Sequence, residues 1–333
     1  MYKKKTIRKL AVFFVVLLAL VVTVLLVDQK KGKRTFRTDL FEADTADVTA
    51  IIIRTKADKD NPVILERKKS GWQLKSGEKL FNAEPVMVQE ILRALNDLKA
   101  TRVAATDKAK WKEFEVDDSS ATKIMVKKDK KLVSTLYLGK FSYQIPKNAN
   151  PYDYYNQQPK ISTYVKVGDD KQVYVAEGFL SMIFNRRFND YRNRAIIRSN
   201  SNDWTRLTFS YPADSSFGLV KEKGFWSVDG MPVDSVKAAE YLTFIASASS
   251  EKFVDDQKPL SAKPDFSLRI EGDNRVKPIV ISAFAADSTH GYLIQSSENE
   301  GTYFSGKQSG LFDRIFVSRE RFFNTGKQTP AGQ

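Results

Sequence analysis

Asp47-Val-Thr-Ala-Ile-Ile-Ile-Arg-Thr-Lys-Ala-Asp58 and Asp203-Trp-Thr-Arg-Leu-Thr-Phe-Ser-Tyr-Pro-Ala-Asp214 read as two versions of one strand. Both open on Asp-x-Thr, and both use residues that suit a pleated, half-buried surface. The likeness continues outward. Val63-Ile-Leu-Glu-Arg67 leads to Gly71-Trp72-Gln-Leu74, and Gly218-Leu-Val-Lys-Glu222 leads to Phe225-Trp226-Ser-Val228. Each is an alternating strand pair with a Trp at the same place. A helical pattern follows in each: Val88, Ile91, Leu92, Leu95 and Leu98 after Asn82 as N-cap, then Val236, Ala239, Leu242 and Ile245 after Asp234. The helices end in Ala100-Thr-Arg-Val103 and Ser250-Glu-Lys-Phe253, and further strands follow. Matched order over more than a hundred residues implies a duplication. The expected fold is therefore α+β: two tandem copies of an antiparallel sheet with a helix on one face, over 46–190 and 200–323. Trp72 and Trp226 are expected as structural anchors, plugging the core where hairpin meets helix.

Ahead of the first copy, Leu10 to Val27 reads LAVFFVVLLALVVTVLLV, with no charge, Gly or Pro. Eighteen residues at ~1.5 Å each reach ~27 Å, the scale of a bilayer core. Lys3, Lys4, Lys5, Arg8 and Lys9 precede the run, and no small-x-small cleavage site follows it. This predicts an uncleaved transmembrane signal anchor over 10–27 behind a cytoplasmic basic tail, 1–9. A linker, 28–45, and a disordered C-terminal tail, 324–333, complete the expected organisation. Basic residues flank both ends of the anchor. The acid-free N-terminus, and the ease with which large C-terminal domains translocate, favour the N-terminus inside. The expected place is the cytoplasmic (inner) membrane, single-pass, with the bulk of the chain extracytoplasmic.

Composition excludes much chemistry. The 333 residues contain no Cys and one His, which removes disulfides, thiolate catalysis and multi-His metal sites. The net charge is +14, but five positive charges belong to the first 27 residues, so the rest carries a mild excess of nine. No nucleic-acid-binding motif is present. Gly301-Thr-Tyr-Phe-Ser-Gly306-Lys307-Gln308 lacks the hydroxyl that a phosphate loop places after Lys, and it reads as a strand. His290 reads as a turn residue, with no G-x-S-x-G elbow to partner it. The pairs Asp117-Asp118, Asp169-Asp170 and Asp255-Asp256 read as turn residues, with a hydrolytic pair as the sharper alternative. No catalytic residue, metal, cofactor or nucleotide is expected.

Two stretches are candidates for binding. From Phe141 to Tyr164 the first copy carries an insertion with Tyr143, Tyr152, Tyr154 and Tyr155 among prolines and asparagines. Such a loop suits recognition of a glycan or a protein, or else it buries its tyrosines on its own domain. Between the copies, Arg186, Arg187, Arg192 and Arg194 form a basic surface strip or, more blandly, a connection whose arginines pair with backbone and carboxylates.

The hairpins ending in Trp72 and Trp226, the pairs Arg102-Val103 and Lys252-Phe253, and the strand end Leu136-Tyr-Leu-Gly139 resemble the bacterial domain-of-unknown-function 4340 family. The resemblance spans about 45 to 320. It implies an N-terminal anchor before duplicated strand-rich units, no catalytic signature, and a setting beside membrane components of ABC-type export systems similar to those of gliding motility. The expected function is a membrane-anchored extracytoplasmic binding or scaffolding protein, an accessory subunit of an ABC-type envelope transport system, with its membrane subunits as partners. The alternative is an envelope glycan-binding or glycan-cleaving protein.

Overall fold

A computed structural model describes residues 36–144, 159–308 and 310–323. The anchor 10–27, its basic tail, the C-terminal 324–333 and three of the four loop tyrosines lie outside the described residues. Among the described residues, no helix is long and apolar enough to cross a membrane.

The strands form two antiparallel sheets. The first contains β1 (Ala50–Arg54), β2 (Val63–Lys68), β3 (Gly71–Ser76), β4 (Lys79–Asn82), β5 (Ala100–Ala105), β6 (Thr122–Lys128), β7 (Lys131–Gln144), β8 (Lys160–Val167) and β9 (Val173–Glu177). Their order is β4-β3-β2-β1-β6-β7-β8-β9-β5. The second contains β10 (Trp204–Ser210), β11 (Phe217–Glu222), β12 (Phe225–Val228), β13 (Met231–Pro232), β14 (Phe266–Gly272), β15 (Ile279–Ala285), β16 (Tyr292–Ser296) and β17 (Phe304–Ser305). Its order is β13-β12-β11-β10-β14-β15-β16-β17. Apart from β5 the two orders are the same. Even β5 has a faint counterpart, because Phe253 bridges Phe304 on β17 much as β5 pairs with β9. A helix follows the fourth strand of each sheet: α1 (Pro85–Asn96) and α3 (Ser235–Ala246). Two short helices, α2 (Ser181–Phe184) and α4 (Leu311–Ile315), follow the last strands.

By packing, the chain divides into two compact units. One holds Ile53–Asn61, Ile91–Asn185 and the described residues up to Val48. The other holds Thr49–Ile52, Pro62–Glu90 and the described residues from Arg186 onward.

In the first unit, alternation along β6 sends Thr122, Ile124 and Val126 inward. Val116, Ala121, Tyr137 and Val173 form a cluster with Trp111, Phe114 and Tyr164 against it. Leu40 and Phe41 are buried, and Leu40 N–H donates to the Leu98 carbonyl, so ordered packing begins inside the stretch read as a linker. Gly139 does not end a strand as read from Leu136-Tyr-Leu-Gly139: β7 continues through it to Gln144, with an irregular register between Leu138 and Phe141. A Cβ there would stand 2.0 Å from the Phe114 carbonyl oxygen, so only glycine lets the two backbones approach.

In the second unit, Leu207 and Phe209 of β10 face a core with Trp204, Leu219, Leu268, Ile281 and Ile294. Phe209 and Phe217 stack at 4.3 Å between ring centroids. α3 buries Ala238, Tyr241, Leu242 and Ile245. The spacing Val236-Ala239-Leu242-Ile245 was one position out of phase at its start, and Val236 and Ala239 are exposed. Tyr241 caused the shift: its large ring buries more apolar area than a valine, and its hydroxyl donates to the Ile315 carbonyl at 2.7 Å. The caps also divide. Asp234 accepts from Val236 and Lys237 N–H, as expected. Asn82 instead ends β4, and α1 begins at Pro85, a residue pre-set for the first helical position.

Candidate functional site

The arginine segment is a packed clamp. Arg192 is not on the surface: its side chain is 1% exposed. Its guanidinium lies between the rings of Phe81 and Phe253, 3.9 and 3.8 Å from their centroids. Nη1 and Nη2 donate to the two oxygens of Asp255 at 2.6 and 3.1 Å. Nη1 also reaches Asn189 Oδ1 at 3.3 Å, and Nε has no partner among the described residues. A planar, weakly hydrated cation stacks on two aromatic faces while its fork meets a carboxylate, which is why arginine tolerates this position. Arg194 pairs with Glu251 and, at 3.4 Å, with Asp190. Arg187 is 91% exposed and 3.6 Å from Asp190. Arg186 is half-buried. The segment thus joins elements through carboxylates instead of offering a row of free positive charges. Nearby, Tyr191 is buried, and burial pushes its hydroxyl up to about 12.

The acid pairs separate by role. Asp117 accepts from Ser119 N–H at 2.8 Å, and Asp170 from Gln172 N–H at 3.0 Å, both as turn residues do. Asp255 is different, because it carries the Arg192 fork. Sequence reading had no local signal for that pairing across 63 positions. His290 lies in a turn whose N–H donates to Asp287. The Gly301–Gln308 stretch passes through β17, antiparallel to β16, and leads to a five-residue helix.

Lys166, which the sequence did not single out, sits on β8 and is 3% exposed. Its Nζ stands 3.3 Å from the centroid of Tyr137 and 4.5 Å from that of Trp111, and donates to the Gly168 carbonyl at 2.7 Å. Burial, with the charge of Lys123 acting in the same direction, lowers its pKa to about 8 against the opposing pull of Asp118, Asp169 and Asp170. An amine that loses its proton near neutrality is a nucleophile in principle. Here two rings and a carbonyl cover it, so the arrangement is a packing solution.

Tyr143 is on β7 opposite Ile161, 57% exposed, near the base of the tyrosine-rich insertion. Tyr152, Tyr154 and Tyr155 lie outside the described residues.

Trp72 and Trp226 occupy equal places, each opposite a basic residue: Arg67 pairs with Trp72 and Lys221 with Trp226. Both are half-buried, and Trp226 packs against the edge of the second unit's core without being enclosed by it. The tryptophan that fills the second unit's core is Trp204, fully buried, with Nε1 donating to Ser199 Oγ at 3.1 Å.

Beside Trp226 the second unit opens into a cleft of about 640 Å³. One wall is the β12–β13 hairpin, with Phe225, Trp226, Pro232 and Val233; the other is α3, with Ser235, Ala239, Leu242 and Thr243. Phe225 is 80% exposed and Met231 and Val236 are also exposed, so apolar surface continues past the rim. Lys221 also lines it, its Nζ 5.9 Å from the Trp226 ring centroid and donating to the Asn202 carbonyl at 3.1 Å. A concave apolar surface with a few placed polar groups is the usual form of a ligand site.

Residues 155–265 match the model of a domain of unknown function, DUF4340. The match runs from within the tyrosine-rich insertion through the arginine segment, the β10–β13 hairpins and α3; it is the family that the Trp226 hairpin and Lys252-Phe253 resemble. No curated protein and no solved structure matches the chain.

Proposed function

We propose that this is a membrane-anchored extracytoplasmic binding protein, an accessory subunit of an ABC-type envelope transport system. The observation that carries the binding role is the open, apolar-walled cleft beside Trp226. The anchor rests on the uncharged run Leu10 to Val27 behind five basic residues. The transport setting rests on the family resemblance, and one membrane segment makes no transport path, so the role is exercised through partners. Sheets of matching strand order, with exposed apolar side chains on the hairpin of the second, are suited to holding a ligand near a membrane assembly. The test is fractionation of the full-length chain followed by amine crosslinking in native membranes. The expected result is a chain that resists alkaline carbonate extraction and crosslinks to an integral membrane protein. Release by carbonate, or capture of no membrane protein, refutes the proposal.

A second reading, envelope glycan binding, draws on the exposed Tyr143 beside the Phe141–Phe179 ring pair, whose centroids are 4.7 Å apart. Exposed aromatic faces suit sugar rings. Replacing Tyr143, Tyr152, Tyr154 and Tyr155 by Ala should then release the protein from cell-wall material. Unchanged retention removes this reading.

A further inference from the structure

We infer that the cleft beside Trp226 binds a small amphipathic carboxylate, its apolar body lying on Trp226 and Leu242 and its carboxylate on the Lys221 ammonium. This rests on the binding role proposed above and adds the chemical class of the ligand. Three observations lead to it. The first is size: about 640 Å³ lies in the range of sites that take drug-sized molecules.

The second is charge. An ammonium has three donors, and Lys221 spends one on the Asn202 carbonyl. No carboxylate pairs with Lys221 among the described residues, although ion pairs engage many of the chain's other basic residues. A positive charge lining an apolar trough, with donors to spare, selects an anion over a neutral molecule of the same shape.

The third is the hairpin edge. Pro232 stands on the two-residue β13, at the outside of the sheet. It has no N–H to offer an added strand, so a peptide extending the sheet is disfavoured where a compact molecule is not. The α3 wall supplies small side chains, Ser235 and Ala239, which leave room above the indole. Exposure of Ala239, part of the departure from the expected helix phase, belongs to the same cleft.

The test uses the full-length chain in nanodiscs of zwitterionic lipid and a pair of probes of one shape, 1-naphthaleneacetate and 1-naphthaleneacetamide. Titration calorimetry on the wild type should give one saturable site that prefers the acid by about tenfold, the scale of a charge-assisted hydrogen bond. Lys221→Met should abolish that preference while leaving amide binding in place. Phe225→Ser, at a side chain too exposed to be needed for folding, should weaken both probes by several-fold. Equal affinity for acid and amide, or a preference that survives Lys221→Met, overturns the ligand class while leaving membrane attachment and partner capture untouched. Binding of neither probe at millimolar concentration also overturns it.

Discussion

Asp255→Ala should destabilise the second unit more than Arg192→Met, although Arg192 is the buried partner. The guanidinium is 1% exposed, stacked between two rings, and makes two hydrogen bonds to Asp255 at 2.6 and 3.1 Å. Without the carboxylate, a cation stays enclosed with one neutral acceptor, Asn189 at 3.3 Å, and an Nε already lacking a partner. Breaking a buried pair on one side costs about 3–5 kcal/mol. The Asp255 side chain is 41% exposed, so water replaces part of what it supplied, and about 3 kcal/mol is the appropriate end of that range. For a unit of about 150–250 residues this corresponds to a fall in Tm of roughly 6–12 °C. Arg192→Met instead removes the charge, keeps an unbranched chain between Phe81 and Phe253, and leaves Asp255 reaching solvent, for about 1 kcal/mol. Urea unfolding followed by tryptophan fluorescence measures both. A larger loss for Arg192→Met than for Asp255→Ala refutes the reasoning, because the cost would then lie in lost stacking instead of in a stranded charge.

Lys166 holds a folded-state pKa near 8 against an ordinary value of 10.5. Between those limits the unfolded chain keeps a proton that the folded chain releases, so stability should rise with pH. The rise is read between pH 8 and 9.5, below the range where Tyr174, pushed up to about 12 by burial and its bond to Asp170, acts in the opposite sense. Urea midpoints should climb across that window in the wild type and stay flat in Lys166→Met; a slope that persists in the variant rejects this assignment. Gly139→Ala should cost about 3 kcal/mol, as its Cβ meets the Phe114 carbonyl at 2.0 Å, and a near-wild-type Tm would contradict that clash. Asp234→Ala removes the acceptor of two N–H groups at the start of α3 and should cost about 1 kcal/mol, with Asp234→Asn recovering most of it in the same thermal scans.

Much of the architecture was legible in the chain because it is written in local periods. Alternation along β1, β6 and β10 gives strands, and a 3.6-residue period gives α1. Two successive series in one order announced two sheets of one strand order. The equal placing of Trp72 and Trp226 opposite Arg67 and Lys221 follows from register alone. The site was less legible. Arg192 read either as part of a basic surface strip or as a connecting arginine paired with carboxylates, and its burial against Asp255 agrees with the second; Asp255 itself read as a turn residue because acid pairs between periodic segments usually are. What makes them partners is the approach of Phe81, 111 positions before Arg192, and of Phe253, 61 positions after it, and no local pattern encodes such a meeting.

The amino-acid sequence by itself thus determined the strand and helix content, the doubled order of elements, the apolar run at the N-terminus and the absence of thiol chemistry. These depend on side-chain type and spacing within a few turns or pleats. Tertiary structure alone decided which charges are buried, which tryptophan fills the core and which one borders a cleft. Burial and pairing are properties of a meeting between distant segments, settled by how much apolar area and how many polar groups each arrangement satisfies at once.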